Sequence, residues 1–270
     1  MLGVQADRLA LVVALAILGL LVGSFLNVVI ARVPAGQSVV SPRSYCPACA
    51  APIEPWDNVP VLSWLLLRGR ARCCGARIRA RYLVVELGSA AAFALVGVWT
   101  SGRAGTGWAL PAFVYLAAIS VALAAIDLDT CRLPFGIVAP SYPVGAALLG
   151  AASWAGRDGR SAVRMLIGAA AVWLLYRLLH QIYPAGMGYG DVRLSGVLGL
   201  YLGWLGWAQL VVGTFAGFVV GGVAGLFLVL AGRSKLKGAI PYGPYLLIGA
   251  WVGMLAGEQI GQLYLHAAGL

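Results

Sequence analysis

Two aspartates are the residues of this sequence best suited to chemistry. Asp191 ends the run Gly-Met-Gly-Tyr-Gly-Asp at 186–191, and Asp127 closes an apolar stretch in Ala-Ile-Asp-Leu-Asp at 125–129. A carboxylate beside hydrocarbon is costly to keep, so it indicates a functional site. Two neighbouring carboxylates cannot both ionise easily, so one of them keeps a proton. The ionised one can then take a proton from water while the protonated one polarises a carbonyl, which is peptide hydrolysis without a metal or a covalent nucleophile.

The glycines before Asp191 have two interpretations. Glycines ahead of an aspartate commonly make a turn in which the aspartate is the N-cap of a helix. They also allow a peptide backbone to approach closely, so Gly188 and Gly190 are candidate residues of an active-site loop. Asp129 is a second choice to Asp127, because it would face away from it on a continuing helix. The sequence has no motif of a zinc protease, a serine hydrolase, a P-loop protein or a dinucleotide-binding protein.

The segments that must position these aspartates have the composition of membrane-spanning helices. The chain has 270 residues, of which 61% are hydrophobic and 10% charged, and its mean hydropathy of +0.89 excludes an ordinary soluble globular protein. One span needs about 20 apolar residues. We therefore predict an all-α polytopic membrane protein with about eight transmembrane helices. The expected spans are 9–31, 82–100, 109–126, 134–154, 162–183, 191–205, 207–231 and 241–265.

The positive charge of the chain is concentrated in one loop. The net charge of +10 would suggest nucleic acid in a soluble protein, but eight arginines lie within 32–81 against only Glu54 and Asp57. This loop is therefore expected in the cytoplasm, with the bilayer rather than nucleic acid as partner. The basic cluster at 233–237 falls on the same side. Asp127 and Asp191 then lie at the cytoplasmic ends of their helices.

The basic loop contains four of the five cysteines. They are Cys46, Cys49, Cys73 and Cys74. Two pairs of thiolates are the usual composition of a structural zinc site. The adjacent Cys73 and Cys74 are not expected to point at one metal, so free cytosolic thiols remain the alternative. Three parts of the chain are predicted: a first transmembrane helix at 1–31, a basic cytoplasmic domain at 32–81 and a membrane-embedded peptidase core at 82–270.

Six short motifs follow one another along nearly the whole chain. They are Gly-Ser-Phe-Leu-Asn at 23–27, Cys-Pro-Ala-Cys at 46–49, Asn-Val-Pro at 58–60, Asp127 with Leu133-Pro134, Gly-Tyr-Gly-Asp at 188–191 and Pro-Tyr-Gly-Pro-Tyr at 241–245. In these motifs the chain resembles the type IV prepilin peptidases, which are bifunctional leader peptidase/N-methyltransferases of pilus and type II secretion systems. The resemblance implies an aspartyl protease of the Gly-x-Gly-Asp type with Asp127 and Asp191 as catalytic residues.

The resemblance also implies a substrate, a cofactor and a location. Such an enzyme removes the short basic leader of prepilins and pseudopilins at the cytoplasmic face of the bacterial inner membrane. It then often methylates the new N-terminal residue from S-adenosylmethionine. The sequence departs from the family pattern at three positions: Ala71 replaces the first cysteine of the second pair, Phe135 follows Pro134 in place of an acidic or amide residue, and Arg193 replaces a lysine.

Two other functions are compatible with the composition. A proton-coupled transporter could use Asp127 and Asp191 as a relay, although transport sites lie near the bilayer midplane and both aspartates are predicted at span ends. A membrane scaffold could recruit partners through its cysteine loop, with both aspartates serving only as helix caps. Replacement of each aspartate by asparagine separates these hypotheses, because a scaffold would keep its function.

Overall fold

The computed structural model describes residues 2–103, 105–184, 187–230 and 241–269. The described residues form helices and loops, with two isolated β-bridges and no strand. The helices are α1 (Leu2–Arg32), the short α2 (Leu62–Leu66), α3 (Arg81–Ser101), α4 (Leu110–Thr130), α5 (Phe135–Ala155), α6 (Gly159–Ile182), α7 (Tyr189–Leu205), α8 (Trp207–Leu230) and α9 (Gly243–Ala267). The basic cluster at 233–237 and Gly186 lie outside the described residues.

The prediction of an all-α multi-pass membrane protein is confirmed. Each expected span falls on one long helix, and six helices in the described part of the chain are long and apolar enough to cross a membrane. The other two long helices are α7 and α9. α7 has 17 residues and is about 25 Å long, and most of its side chains are buried in protein. α9 carries Glu258 and Gln259 within its apolar run.

The first compact unit of the chain covers Met1–Ala125. In it α1 and α3 pack closely, because Gly19 and Gly23 of α1 lie directly against α3: a Cβ on Gly23 would be 2.8 Å from the Cα of Glu86. The loop between these helices is tied to α3 by the backbone N–H of Val61, which donates to the Glu86 carboxylate at 2.8 Å. Small residues thus set the helix separation, and one buried carboxylate anchors the loop.

The second unit covers Ile126–Leu270, and α7 is its central helix. α7 contacts α5, α6, α8 and α9. Its tightest neighbour is α6, where Gly168 lies against Gly199. α8 and α9 also pack closely, with Gly213 against Gly253. Small residues at these positions let the helix backbones approach closely.

Helix α6 begins with a side-chain cap. Asp158 is its N-cap and accepts a hydrogen bond from the backbone N–H of Ser161 at 3.1 Å. The Ser161 hydroxyl also donates to this carboxylate. Hydrogen bonds from the side chain and backbone of Ser161 hold the pKa of Asp158 below its ordinary value, so the charged carboxylate is the form that caps the helix.

Candidate active site

Asp127 lies in the last turn of α4 and is buried, with 3% of its surface exposed. Its Oδ2 accepts a hydrogen bond of 2.9 Å from the backbone N–H of Gly243, the first residue of α9. An N–H at the start of a helix has no partner within that helix, so it is free to hold an anion. The N-terminus of α9 therefore binds the Asp127 carboxylate.

Asp191 is the third residue of α7 and is also buried, with 7% exposed. Its Oδ2 accepts the backbone N–H of Gly188 at 3.1 Å. Gly188 is the N-cap, so Asp191 lies at N3 rather than at the N-cap position, and its hydrogen bond with Gly188 is the half of a capping box that a glycine N-cap allows. The loop before it is held by His180, whose Nδ1 lies 2.9 Å from the carbonyl oxygen of Met187.

The two aspartates come together around Leu133. A Cβ on Gly190, next to Asp191, would lie 2.9 Å from the Cβ of Leu133. A Cβ on Gly243, which holds Asp127, would lie 3.2 Å from the Cδ2 of the same leucine. The Asp127 carboxylate lies within electrostatic range of Asp191. The ends of α4, α7 and α9 thus place two buried carboxylates in one site.

The structure also shows the positions of Asp129 and Gly243 relative to this site. Asp129 is exposed on α4 and does not join the two buried carboxylates, as its position on a continuing helix indicated. Gly243 was noted only as part of a motif, and its hydrogen bond to Asp127 was missed. The bond joins residues 116 positions apart, and the only sequence signal for it was the Pro-Tyr-Gly-Pro-Tyr run at 241–245.

Two of the departures from the family pattern contact each other. The guanidinium of Arg193 lies 4.7 Å from the ring centroid of Phe135 and 4.7 Å from that of Tyr189. Cation–π contacts of this kind are attractive. These residues line one end of a cavity of about 590 Å³ between α5, α6 and α7, whose remaining lining is mostly apolar. The two residues that depart from the family pattern, Phe135 and Arg193, are therefore a contacting pair in this chain.

The four loop cysteines form a cluster. Their sulfur atoms all lie within 4.8 Å of one another, with Cys46 and Cys74 at 3.7 Å, Cys49 and Cys73 at 3.3 Å, and Cys73 and Cys74 at 3.8 Å. The expectation that the adjacent pair points apart is wrong. A tetrahedral zinc ion about 2.3 Å from each sulfur requires sulfurs about 3.8 Å apart, so the geometry of the cluster fits that ion.

Two turns of the same construction carry these thiols. Cys46 donates its N–H to the carbonyl five residues on and accepts the N–H four residues on, both at 2.8 Å, and Ala71 makes the same two bonds at the same distances. Ala71 thus occupies the position of Cys46, and Cys74 that of Cys49. Cys73 supplies the fourth sulfur from a position where the first turn has Ala48.

The thiols of the cluster differ in acidity. Hydrogen bonds from the backbone N–H groups of Ala48 and Cys49 lower the pKa of Cys46 to about 6. The hydrogen bond between Cys73 and Cys49 raises the pKa of Cys73 to about 12. Crowded thiols resist joint ionisation, whereas a bound metal ion deprotonates its thiol ligands. The N–H donors around Cys46 favour a thiolate there.

Fold and site together define a polytopic membrane protein with a pair of buried aspartates, the arrangement expected of a membrane-embedded aspartyl peptidase. Residues 17–100 match the profile of the bacterial peptidase A24 N-terminal domain, and residues 114–226 match that of the type IV leader peptidase family. The chain belongs to the type IV leader peptidase family.

Several relatives are similar over almost the whole chain. The prepilin leader peptidase/N-methyltransferase of Stutzerimonas stutzeri is 34% identical over 289 residues, covering 98% of this chain and 97% of the relative. The proteins of the same name from Aeromonas hydrophila and Pseudomonas aeruginosa are 35% and 33% identical, covering 91% and 97% of this chain and 91% and 96% of the relatives. No solved structure matches the chain.

Proposed function

We propose that this protein removes the short basic leader of prepilins at the cytoplasmic face of the bacterial inner membrane, with Asp127 and Asp191 as its catalytic residues. The observation that carries the proposal is the meeting of two buried carboxylates, each held by a glycine N–H. Family membership supports the reaction, and relatives of similar length carry the name of this activity. The transporter hypothesis gains no comparable support.

The two carboxylates divide the work of hydrolysis. The ionised one takes a proton from a water molecule, whose oxygen attacks the carbonyl carbon of the scissile peptide bond. The protonated one donates to the carbonyl oxygen and stabilises the tetrahedral intermediate. The carbon–nitrogen bond then breaks, and the amine leaves with a proton returned from the first carboxylate. Gly188 lies beside the Asp191 carboxylate and Gly190 lets this loop pack closely on Leu133, so both remain candidate residues of the active-site loop.

A second reaction follows on the new N-terminus. The names of the relatives include N-methyltransferase, and we propose that this chain transfers a methyl group from S-adenosylmethionine to the exposed amine. The cavity beside Arg193 does not fit this cofactor, because its lining has no carboxylate to receive ribose hydroxyls or the cofactor's ammonium group. We therefore assign no residue of this cavity to the methyl donor.

The cysteine cluster is proposed to hold a structural zinc ion. The ligands are Cys46, Cys49, Cys73 and Cys74. Three of their six sulfur separations are 3.3 to 3.8 Å and all six are within 4.8 Å, which supports this assignment. Bound zinc supplies folding energy to a loop with little apolar core. Cys73 replaces the ligand that Ala71 lacks.

The test is a cleavage assay with the full-length protein in lipid vesicles and a basic-leader prepilin. Mass spectrometry reads leader loss and, with S-adenosylmethionine present, the gain of one methyl group. We expect both changes with the parent and no leader loss with Asp127→Asn. Asp129→Asn is the matched control, because this exposed aspartate lies two residues away and should cleave normally. An active D127N variant or an inactive parent would refute the proposal.

A further inference from the structure

Tyr176 is a buried tyrosine of α6 whose hydroxyl has no role in the mechanism above. Its surface is 1% exposed. Its ring stacks on that of Phe218 of α8, with centroids 4.9 Å apart and an interplanar angle of 19°. This packing depends on the ring alone, since phenylalanine could make the same stack. The hydroxyl therefore needs a separate explanation.

The hydroxyl of Tyr176 has no hydrogen-bond partner in the described part of the chain. A buried hydroxyl without a partner costs free energy, and such groups in folded proteins often mark a functional site. The hydroxyl of Tyr242 is its neighbour, and both hydroxyls lie within electrostatic range of the Asp191 carboxylate. The Tyr176 hydroxyl thus lies near a candidate catalytic carboxylate.

Tyr242 links this hydroxyl to the other half of the site. Its ring lies against α8, where a Cβ on Gly221 would come within 3.3 Å of three of its ring carbons. It also precedes Gly243, whose N–H holds Asp127. Tyr242 is therefore fixed by packing on one side and joined to the Asp127 anchor on the other.

We propose that Tyr176 is a positioning residue for Asp191, acting with the hydroxyl of Tyr242. With substrate bound, the two hydroxyls form a chain of donors that ends on the Asp191 carboxylate and fixes its orientation toward the attacking water. The inference rests on the proposed peptidase function and adds two residues to it. No bond of the substrate is made or broken by either tyrosine.

The test is the Tyr176→Phe variant in the vesicle assay. Loss of a hydrogen bond to a carboxylate should lower kcat for leader cleavage roughly tenfold, about 1.4 kcal/mol, with KM unchanged because the substrate is not contacted. Methyl transfer to a synthetic peptide that begins at the new N-terminus should keep its rate. Tyr242→Phe should give a similar loss, and the double variant should be no slower than either single variant, because the hydroxyls act as a unit.

Tyr201→Phe is the matched control. Tyr201 is also 1% exposed, and it lies ten residues along α7 from Asp191, about 15 Å. It should keep the parent's kcat. A Y176F variant with the parent's kcat would overturn the inference. An equal loss of kcat in Y201F would also overturn it, because the loss would then come from altered packing rather than from a hydroxyl near Asp191. A parent chain that leaves the leader in place would overturn the proposed function itself, and the inference with it.

Discussion

Replacement of Gly243 by alanine should damage the site without disturbing the helix that carries it. The N–H of Gly243 donates to Asp127 Oδ2 at 2.9 Å. An added Cβ would lie 2.9 Å from this same oxygen and 3.2 Å from the Cδ2 of Leu133. A contact below 3.0 Å is essentially never seen for a Cβ, so the carboxylate must move.

The size of the effect follows from the bond that is displaced. A hydrogen bond to a charged acceptor contributes about 1.5 to 3 kcal/mol, which corresponds to a loss in kcat of roughly tenfold to a hundredfold. The helix itself should not suffer, because alanine is a better helix former than glycine and Gly243 does not have a positive φ. Activity should therefore fall while thermal stability is kept.

The assay is leader cleavage in vesicles, with the melting temperature in detergent measured beside it. Gly222→Ala is the matched control, because a Cβ at this helical glycine would meet nothing within 4 Å. It should cleave at the parent's rate. If Gly243→Ala also cleaves at the parent's rate, the N-terminus of α9 does not hold a catalytic carboxylate.

Three further predictions concern other parts of the chain. The parent and the double variant Ala71→Cys/Cys73→Ala should each bind one zinc per chain, whereas Cys73→Ala alone should bind it more weakly. Metal analysis of the three purified proteins checks this. Phe135→Ala and Arg193→Ala should lower stability non-additively, with a coupling of about 0.5 to 1 kcal/mol by double-mutant cycle. Asp158→Ala should lower stability by about 1 kcal/mol through loss of a cap. Because the folded-state pKa of Asp158 is depressed, this effect should be full above about pH 4 and fade as pH falls further, measured as melting temperature against pH.

The helices were predictable because apolar runs of spanning length leave few alternatives in a membrane. The span expected at 134–154 corresponds to the helix Phe135–Ala155, and the span expected at 207–231 corresponds to the helix Trp207–Leu230. The central position of α7 was not predictable. A short apolar sequence is compatible with a helix in lipid and with a helix surrounded by protein. Only the packing of four other helices around α7 identifies it as the core of its unit.

The site was predictable in its residue types but not in its contacts. Asp127 and Asp191 were recognisable because carboxylates are rare in apolar surroundings. The N–H of Gly243 has no sequence signature as a donor, since every residue but proline has one. A role for Tyr176 could not be predicted from the sequence either, because tyrosine is common in membrane helices and only the structure shows that this hydroxyl lacks a hydrogen-bond partner.

The cysteines show how local rules fail against tertiary geometry. Adjacent side chains usually diverge, which argued against a joint role for Cys73 and Cys74. The turn that carries them repeats the turn at Cys46, and its curvature brings both sulfurs into the cluster. The departures at Phe135 and Arg193 likewise looked independent in sequence, although the two side chains are in contact.

The most direct measurement of the central hypothesis compares leader-cleavage rates of Asp127→Asn, Asp191→Asn and the double variant. Two carboxylates that share one reaction act as a unit, so either single replacement should reduce cleavage to the level of the double variant. All three should still insert and keep methyl transfer to a peptide already lacking its leader. Either single variant that cleaves at the parent's rate, or a double variant far slower than both singles, would contradict the account.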